Sequence, residues 1–143
     1  MPSPVISIAQ MREWEQATWA SGQTQATVIR CVGALVARRA LQLTRTGQRV
    51  LLLAGKGHNG DDVRAAREYL ADRATDLLEV RDPAAELPRL MQLLAKRPVL
   101  ILDGLFGIGM DRQLDAAWCA FIGQLNEARI PVIAVDVPSG LHA

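Results

Sequence analysis

Aromatic residues are scarce, at 4% of 143 residues, so the core has to be built mainly from Leu, Val, Ile and Ala. Cysteine and histidine are scarcer still, at two each, and they form no cluster of the kind that holds zinc. Cys31 and Cys119 lie far apart in apolar surroundings. Buried, reduced thiols are expected there, the cysteine usage of a cytosolic protein. No charge of one sign prevails: 16 basic residues stand against 15 acidic ones, for a formal charge of +1. The basic surplus of a general nucleic-acid binder is missing. No apolar run approaches the ~20 residues that a membrane span requires. No cationic stretch followed by an apolar segment opens the chain, so a cytoplasmic location away from membranes is expected. Small and aliphatic hydrophobic residues are abundant, since half the chain is hydrophobic. That is ample for a continuous core, and one domain over residues 1–143 is expected.

The patterning begins helical. Ser7 and Gln10 have capping-box spacing, which predicts a helix from Ser7 to Ala20 with Gly22 as its stop. Ile8, Met11, Glu15, Thr18 and Trp19 share one side, an imperfect apolar stripe, with Trp14 off it. A second helix is predicted from Thr24 to Thr44, its stripe formed by Val28, Cys31, Val32, Leu35, Val36 and Leu43, with Gly47 ending it. Then the period changes. Arg49–Ala54 is a short, nearly continuous apolar run, which suits a parallel strand covered on both faces. A glycine-rich loop and a helix from Asp62 to Ala71 follow. Further strands are predicted at Thr75–Val80, Pro98–Asp103 and Ile130–Asp136. Helices are predicted at Ala84–Ala95, with Pro88 as an early turn or break, and at Leu114–Ala128. This alternation with short links predicts an α/β fold. It is a Rossmann-like, doubly wound, mainly parallel sheet with helices on both faces, preceded by two N-terminal helices. An open sheet ending on the fourth strand leaves an apolar edge, and cover by another chain or by further residues is expected.

Ligands of open parallel sheets bind beyond the carboxyl ends of the strands, and three of these strands end in distinctive polar residues. The first leads into Gly55-Lys56-Gly57-His58-Asn59-Gly60-Asp61-Asp62. Its glycines allow backbone amides to approach a ligand, and the following helix points its positive end there, which suits phosphate. The loop does not match GxxxxGK[ST]. Gly55, Gly57 and Gly60 stand at GxGxxG spacing, but Asp61 follows where that pattern continues, so by itself the loop reads equally well as a structural turn. The third strand ends at Asp103 before Gly104-Leu105-Phe106-Gly107-Ile108-Gly109, and the fourth at Asp136 before Val137-Pro138-Ser139-Gly140. A carboxylate behind an apolar strand needs hydrogen bonds, a cation or water, and capping of the next element is the plain alternative. Asn59, Asp103 and Ser139 together offer oxygen ligands to a hard cation. His58 is a candidate for acid–base work, although a lone loop histidine is more often merely exposed. Nothing pairs Ser139 into a triad; His142 reads as a tail residue.

Taken together, GKGHNGDDV (Gly55 to Val63), DGLFGIG (Asp103 to Gly109) and VDVPSG (Val135 to Gly140) resemble the YjeF N-terminal domain family, the NAD(P)HX epimerases. That family carries GxGNNGGDG, DAxFGxG and VDxPSG in this order, and the resemblance runs from about Met11 onward. It implies a Rossmann-like homodimer that interconverts the R and S epimers of hydrated NADH or NADPH, with a potassium ion in the site. By position it implies Asn59, Asp103 and Ser139 as potassium ligands. His58, Asn59, Gly60, Asp61, Asp62, Gly107, Ile108, Gly109, Met110, Asp111, Arg112, Gln113 and Asp136 would be dinucleotide contacts, and Asp103 or Asp136 the proton-handling group. The chain departs from the family at His58, Asp61, Val63 and Arg30. Asp61 is expected to set a carboxylate where a phosphate approaches, at a cost of about 1 kcal/mol at ~4 Å in water, and Val63 to remove φ freedom. A catalytically inactive module holding a nucleotide-like ligand or a protein partner is the alternative. A kinase is disfavoured, as no P-loop lysine is placed for phosphoryl transfer.

Overall fold

A computed structural model describes residues 6–141. His142 lies outside them. The elements run α1 (Ile8–Ala20), α2 (Gln25–Leu43), β1 (Arg49–Ala54), α3 (His58–Glu68), β2 (Ala74–Glu79), α4 (Pro83–Ala95), β3 (Leu100–Gly104), α5 (Ala116–Ala128) and β4 (Val132–Ala134). All four strands are parallel, in the order β2-β1-β3-β4. The Rossmann-like, doubly wound arrangement and the two preceding helices are as the alternation predicts.

Successive residues of β1 and β3 point to opposite faces, and both faces are dry. Val50, Leu52, Leu100 and Leu102 meet Ala37 and Ala40 of α2 and Val63 and Ala66 of α3. Leu51, Leu53 and Ile101 meet Leu90 and Leu93 of α4 and Phe121 and Leu125 of α5. Such two-sided burial is why β1 is apolar without alternation. No helix among the described residues is long and apolar enough to cross a membrane.

The caps behave as their chemistry dictates. Ser7 and Gln10 form both halves of the capping box, and Gly22 adopts φ 82° just past the C-cap of α1. At the C-terminal end of α2, Arg73 donates from Nε to the Thr44 hydroxyl and from a terminal nitrogen to the Thr44 carbonyl. The helix thus stops at Leu43, and Gly47 (φ 79°) shapes the turn into β1 instead.

Several expectations are corrected. The face α2 buries is Gly33, Ala37 and Ala40, with Leu35 and Leu43 largely exposed. The reason is close approach to α3: a Cβ on Gly33 would stand 2.6 Å from that of Ala65. Large side chains are therefore pushed to the flanks of the contact. Cys31 and Cys119 are both exposed free thiols, because each lies off the buried face of its helix. Helix α3 begins four residues earlier than predicted, so the loop is largely a helical first turn. Pro88 does not break α4. The amide it lacks would have bonded the carbonyl of Ala84, an exposed first-turn residue. Strand β4 is only three residues long, because the chain turns left-handed at Asp136 (φ 71°).

Candidate functional site

The glycine-rich segment is shaped by contact with its neighbours. Gly55 packs on the Leu105 carbonyl and Gly60 on that of Gly55; a Cβ at either position would overlap those oxygens. This lets α3 start directly behind β1, with Gly57 at its N-cap and no side chain bonding the first amides. Those amides and the helix dipole face outward. Val63, expected to restrict φ, sits inside the helix where no such freedom is used. It is fully buried, filling the space beside Gly104.

Asp61 is likewise diverted. Its carboxylate pairs with Arg64 at 2.8 Å, and Arg64 also binds Glu79 at 2.5 Å and the Gly55 carbonyl at 2.9 Å. The charge expected to oppose a phosphate is drawn toward β2 and largely compensated.

Behind this segment three strand ends are tied together. The Asn59 amide donates to the Val135 carbonyl (2.7 Å) and the Phe106 carbonyl (3.2 Å). The Phe106 amide donates to the Ser139 hydroxyl (3.1 Å), and that hydroxyl donates to Asp103 (2.7 Å). Asp103, which is 6% exposed, also accepts from the amides of Leu105 and Ser139. Its burial is thus compensated by three donors. This group offers one carboxylate among neutral hydroxyl, amide and carbonyl oxygens. The set fits a monovalent cation better than a divalent one, which collects more carboxylates. Among the described residues no three His, Cys, Asp or Glu side chains are grouped to hold a metal ion.

In front lies the cleft. A cavity of about 500 Å³ is lined by His58, Asn59, the run from Leu105 to Arg112, and Asp136. Gly107 is its pivot: a Cβ there would lie 2.6 Å from Asn59 Oδ1 and 2.8 Å from Asp136 Oδ2, so both side chains converge over a bare backbone. A deeper recess of about 270 Å³ continues between α1, α2 and α3. It shares His58, Asn59 and Asp136 with the first and adds Asp62, Trp14 and Trp19. Gln25 holds the His58 ring through Nε2 at 2.7 Å.

Asp62 is the electrostatically perturbed group of this recess. Burial, then the Asp136 carboxylate, then that of Asp61 raise its pKa from 3.8 to about 6, with His58 partly offsetting them. An acid that titrates near neutrality beside a cavity is a functional-site signature.

Of the positions singled out in the sequence, His58, Asn59, Asp62, Asp136 and Gly107 to Arg112 line the cleft or its recess. Asp103 and Ser139 stand behind the wall, Gly60 is buried, and Asp61 faces a different cavity. Gln113 lies outside the lining of both cavities. Sequence reasoning missed Arg12, Trp14, Glu15 and Gln25, contributed by α1 and α2. The hint was the polar interruption of the α1 stripe at Glu15 and Thr18.

Residues 70–143 match the family described as YjeF-related protein N-terminus. The NAD(P)H-hydrate epimerase of Bordetella pertussis is 43% identical over 114 residues, covering 68% of this chain and 50% of that protein. The NAD(P)H-hydrate epimerase of Achromobacter xylosoxidans is 35% identical over 158 residues, covering 98% of this chain and 74% of its own length. That of Limosilactobacillus fermentum is 33% identical over 166 residues, covering 99% and 77%. The chain spans about half the length of the Bordetella relatives it matches.

Proposed function

The chain belongs to the YjeF-related protein N-terminus family, and from that premise we propose that its cleft binds NADH or NADPH hydrate and interconverts the R and S epimers. The epimers differ at the ring carbon that carries the hydroxyl. The ring nitrogen expels that hydroxyl as water once it is protonated, leaving a flat cation. Water returning to the opposite face completes the inversion. The protein must therefore give one proton and take one back at the same ring carbon, on opposite faces of the ring.

Asp62 and Asp136 suit that task, and their presence together in the lining of one recess is the observation that carries the reading. With a pKa of about 6, Asp62 is present in both protonation states near neutral pH. Asp136 supplies a second carboxylate that stabilises the flat cation and accepts a proton from the returning water. Trp14 and Trp19 add aromatic surface to the recess, which suits a flat cationic ring. The open amides at the start of α3 suit the pyrophosphate. Asp103, its oxygens already engaged by three donors, serves to position Ser139 and the turn that carries Asp136.

A potassium ion held by Asn59, Asp103 and Ser139 would supply fixed positive charge for substrate oxygens at the rear of the cleft. In this reading the protein works as a cytoplasmic homodimer. The test is to mix the purified protein with the R epimer of NADH hydrate and follow formation of the S epimer, with and without potassium. Acceleration that grows with potassium is expected; no acceleration by a folded protein overturns the proposal.

A further inference from the structure

On the other side of the Gly55–Gly57 turn, at the carboxyl end of β2, lies a cavity of about 660 Å³ lined by Lys56, Asp61, Arg64, Glu79 and Arg81. None of these five residues lines the Asp136 cleft. All five are charged, and their pairing is uneven. Asp61 and Glu79 share the single guanidinium of Arg64. Both oxygens of Glu79 accept hydrogen bonds from it, which, with a smaller contribution from the nearby Arg81 charge, holds the Glu79 carboxyl below its usual range. Lys56 and Arg81 are exposed and make no ion pair among the described residues. With three cations and two anions the wall is net positive, and the two unpaired cations are the exposed ones.

The position gives this charge a meaning. β1, the glycine turn, α3 and β2 form a strand–loop–helix–strand unit. A dinucleotide laid with its pyrophosphate on such a loop sends its adenosine toward the end of the second strand. About 20 residues beyond the loop, an acidic residue there meets the ribose 2′-hydroxyl, or an arginine meets a 2′-phosphate. Here Glu79 occupies the acidic position, but both its oxygens are already engaged by Arg64, which leaves a 2′-hydroxyl a weaker acceptor. A 2′-phosphate finds an ammonium and a guanidinium, the pair of groups best suited to it.

We infer that this cavity receives the 2′-phosphate of the adenosine half, held by Lys56 and Arg81, so that NADPH hydrate is preferred over NADH hydrate. The inference rests on the dinucleotide reading above but is tested apart from it. Calorimetric titration of the whole chain with 2′,5′-ADP, 5′-ADP and inorganic phosphate measures the subsite without catalysis. Binding of 2′,5′-ADP about tenfold or more tighter than either other probe is expected. Arg81→Ala and Lys56→Ala should each erase most of that preference, and Arg81→Lys should keep part of it. Both side chains are exposed, and circular dichroism checks that the variants remain folded. Equal affinity for 2′,5′-ADP and 5′-ADP, or a preference that survives both alanine substitutions, overturns the inference. So does tightest binding of inorganic phosphate, which would mark a general anion site.

Epimerisation assays separate the two readings. Equal kcat/KM for both hydrates in the wild type and in Arg81→Ala retains the epimerase and removes the subsite. A protein that binds 2′,5′-ADP through Lys56 and Arg81 without epimerising retains the subsite and removes the activity.

Discussion

Replacing Asp62 by asparagine should make the protein more stable at pH 7.5. A carboxyl whose pKa rises from 3.8 to about 6 on folding binds its proton more tightly in the folded state. Folding is therefore penalised when the proton is absent. Stability from this group is fully present below about pH 4, declines as pH rises through 6, and is flat above about pH 7. The shift of about two pH units sets a ceiling near 3 kcal/mol at 1.36 kcal/mol per unit. Asp62 is only half-buried, and solvent screening reduces the realised penalty to about 1 kcal/mol. The amide of asparagine keeps the shape and removes the charge. Urea unfolding of both proteins at pH 4.5, 6 and 7.5 measures the gap. The variant should lead by about 1 kcal/mol at pH 7.5, with the lead shrinking toward zero at the acid end. Asp76 and Glu79, whose ion pairs lower their pKa values, titrate alike in both proteins and cancel in the difference. A variant less stable than wild type at pH 7.5, or a gap that ignores pH, would refute the reasoning. If Asp62 also handles the proton, the stabilised variant loses epimerisation, an exchange of activity for stability.

Two further substitutions probe the geometry. Gly107→Ala places a Cβ against Asn59 and Asp136 at a cavity wall, and should cost roughly a hundredfold in kcat/KM through misplacement of these groups. A far-ultraviolet spectrum unchanged from wild type would assign the loss to the site. Ser139→Ala removes a donor to buried Asp103 and the acceptor of the Phe106 amide. Chemical denaturation should show a loss of about 2 kcal/mol.

Much of the fold was legible because its signals are local or strongly periodic. The bounds of β1 match the apolar run Arg49–Ala54, and the Ser7 capping box declares the start of α1. The misreadings share a cause, which is that a neighbour decided the outcome. His58, Asn59 and Gly60 have poor helix propensity, yet they are helical because Gly60 must nest on Gly55. Cys31 sits among apolar residues, but the contact with α3 selects the small residues of α2 for burial. In the candidate site, the motifs at the three strand ends located the cleft, since parallel strands deliver their carboxyl ends to one edge. The diversion of Asp61 depends on Arg64 and Glu79, and the latter lies in another strand. The contribution of α1 depends on how a helix outside the βα alternation docks, which no local pattern declares.

The Asn59 amide bridges to residues 47 and 76 positions further along the chain, and this has a kinetic side. The cleft has no local half that could form early, because its back wall exists only once β1, β3 and β4 are in register. Long loops must close before that wall is built. During refolding, ligand binding should therefore return with the slowest tertiary phase, after helical signal has recovered. A partly folded chain would carry the helices and offer no ligand a foothold.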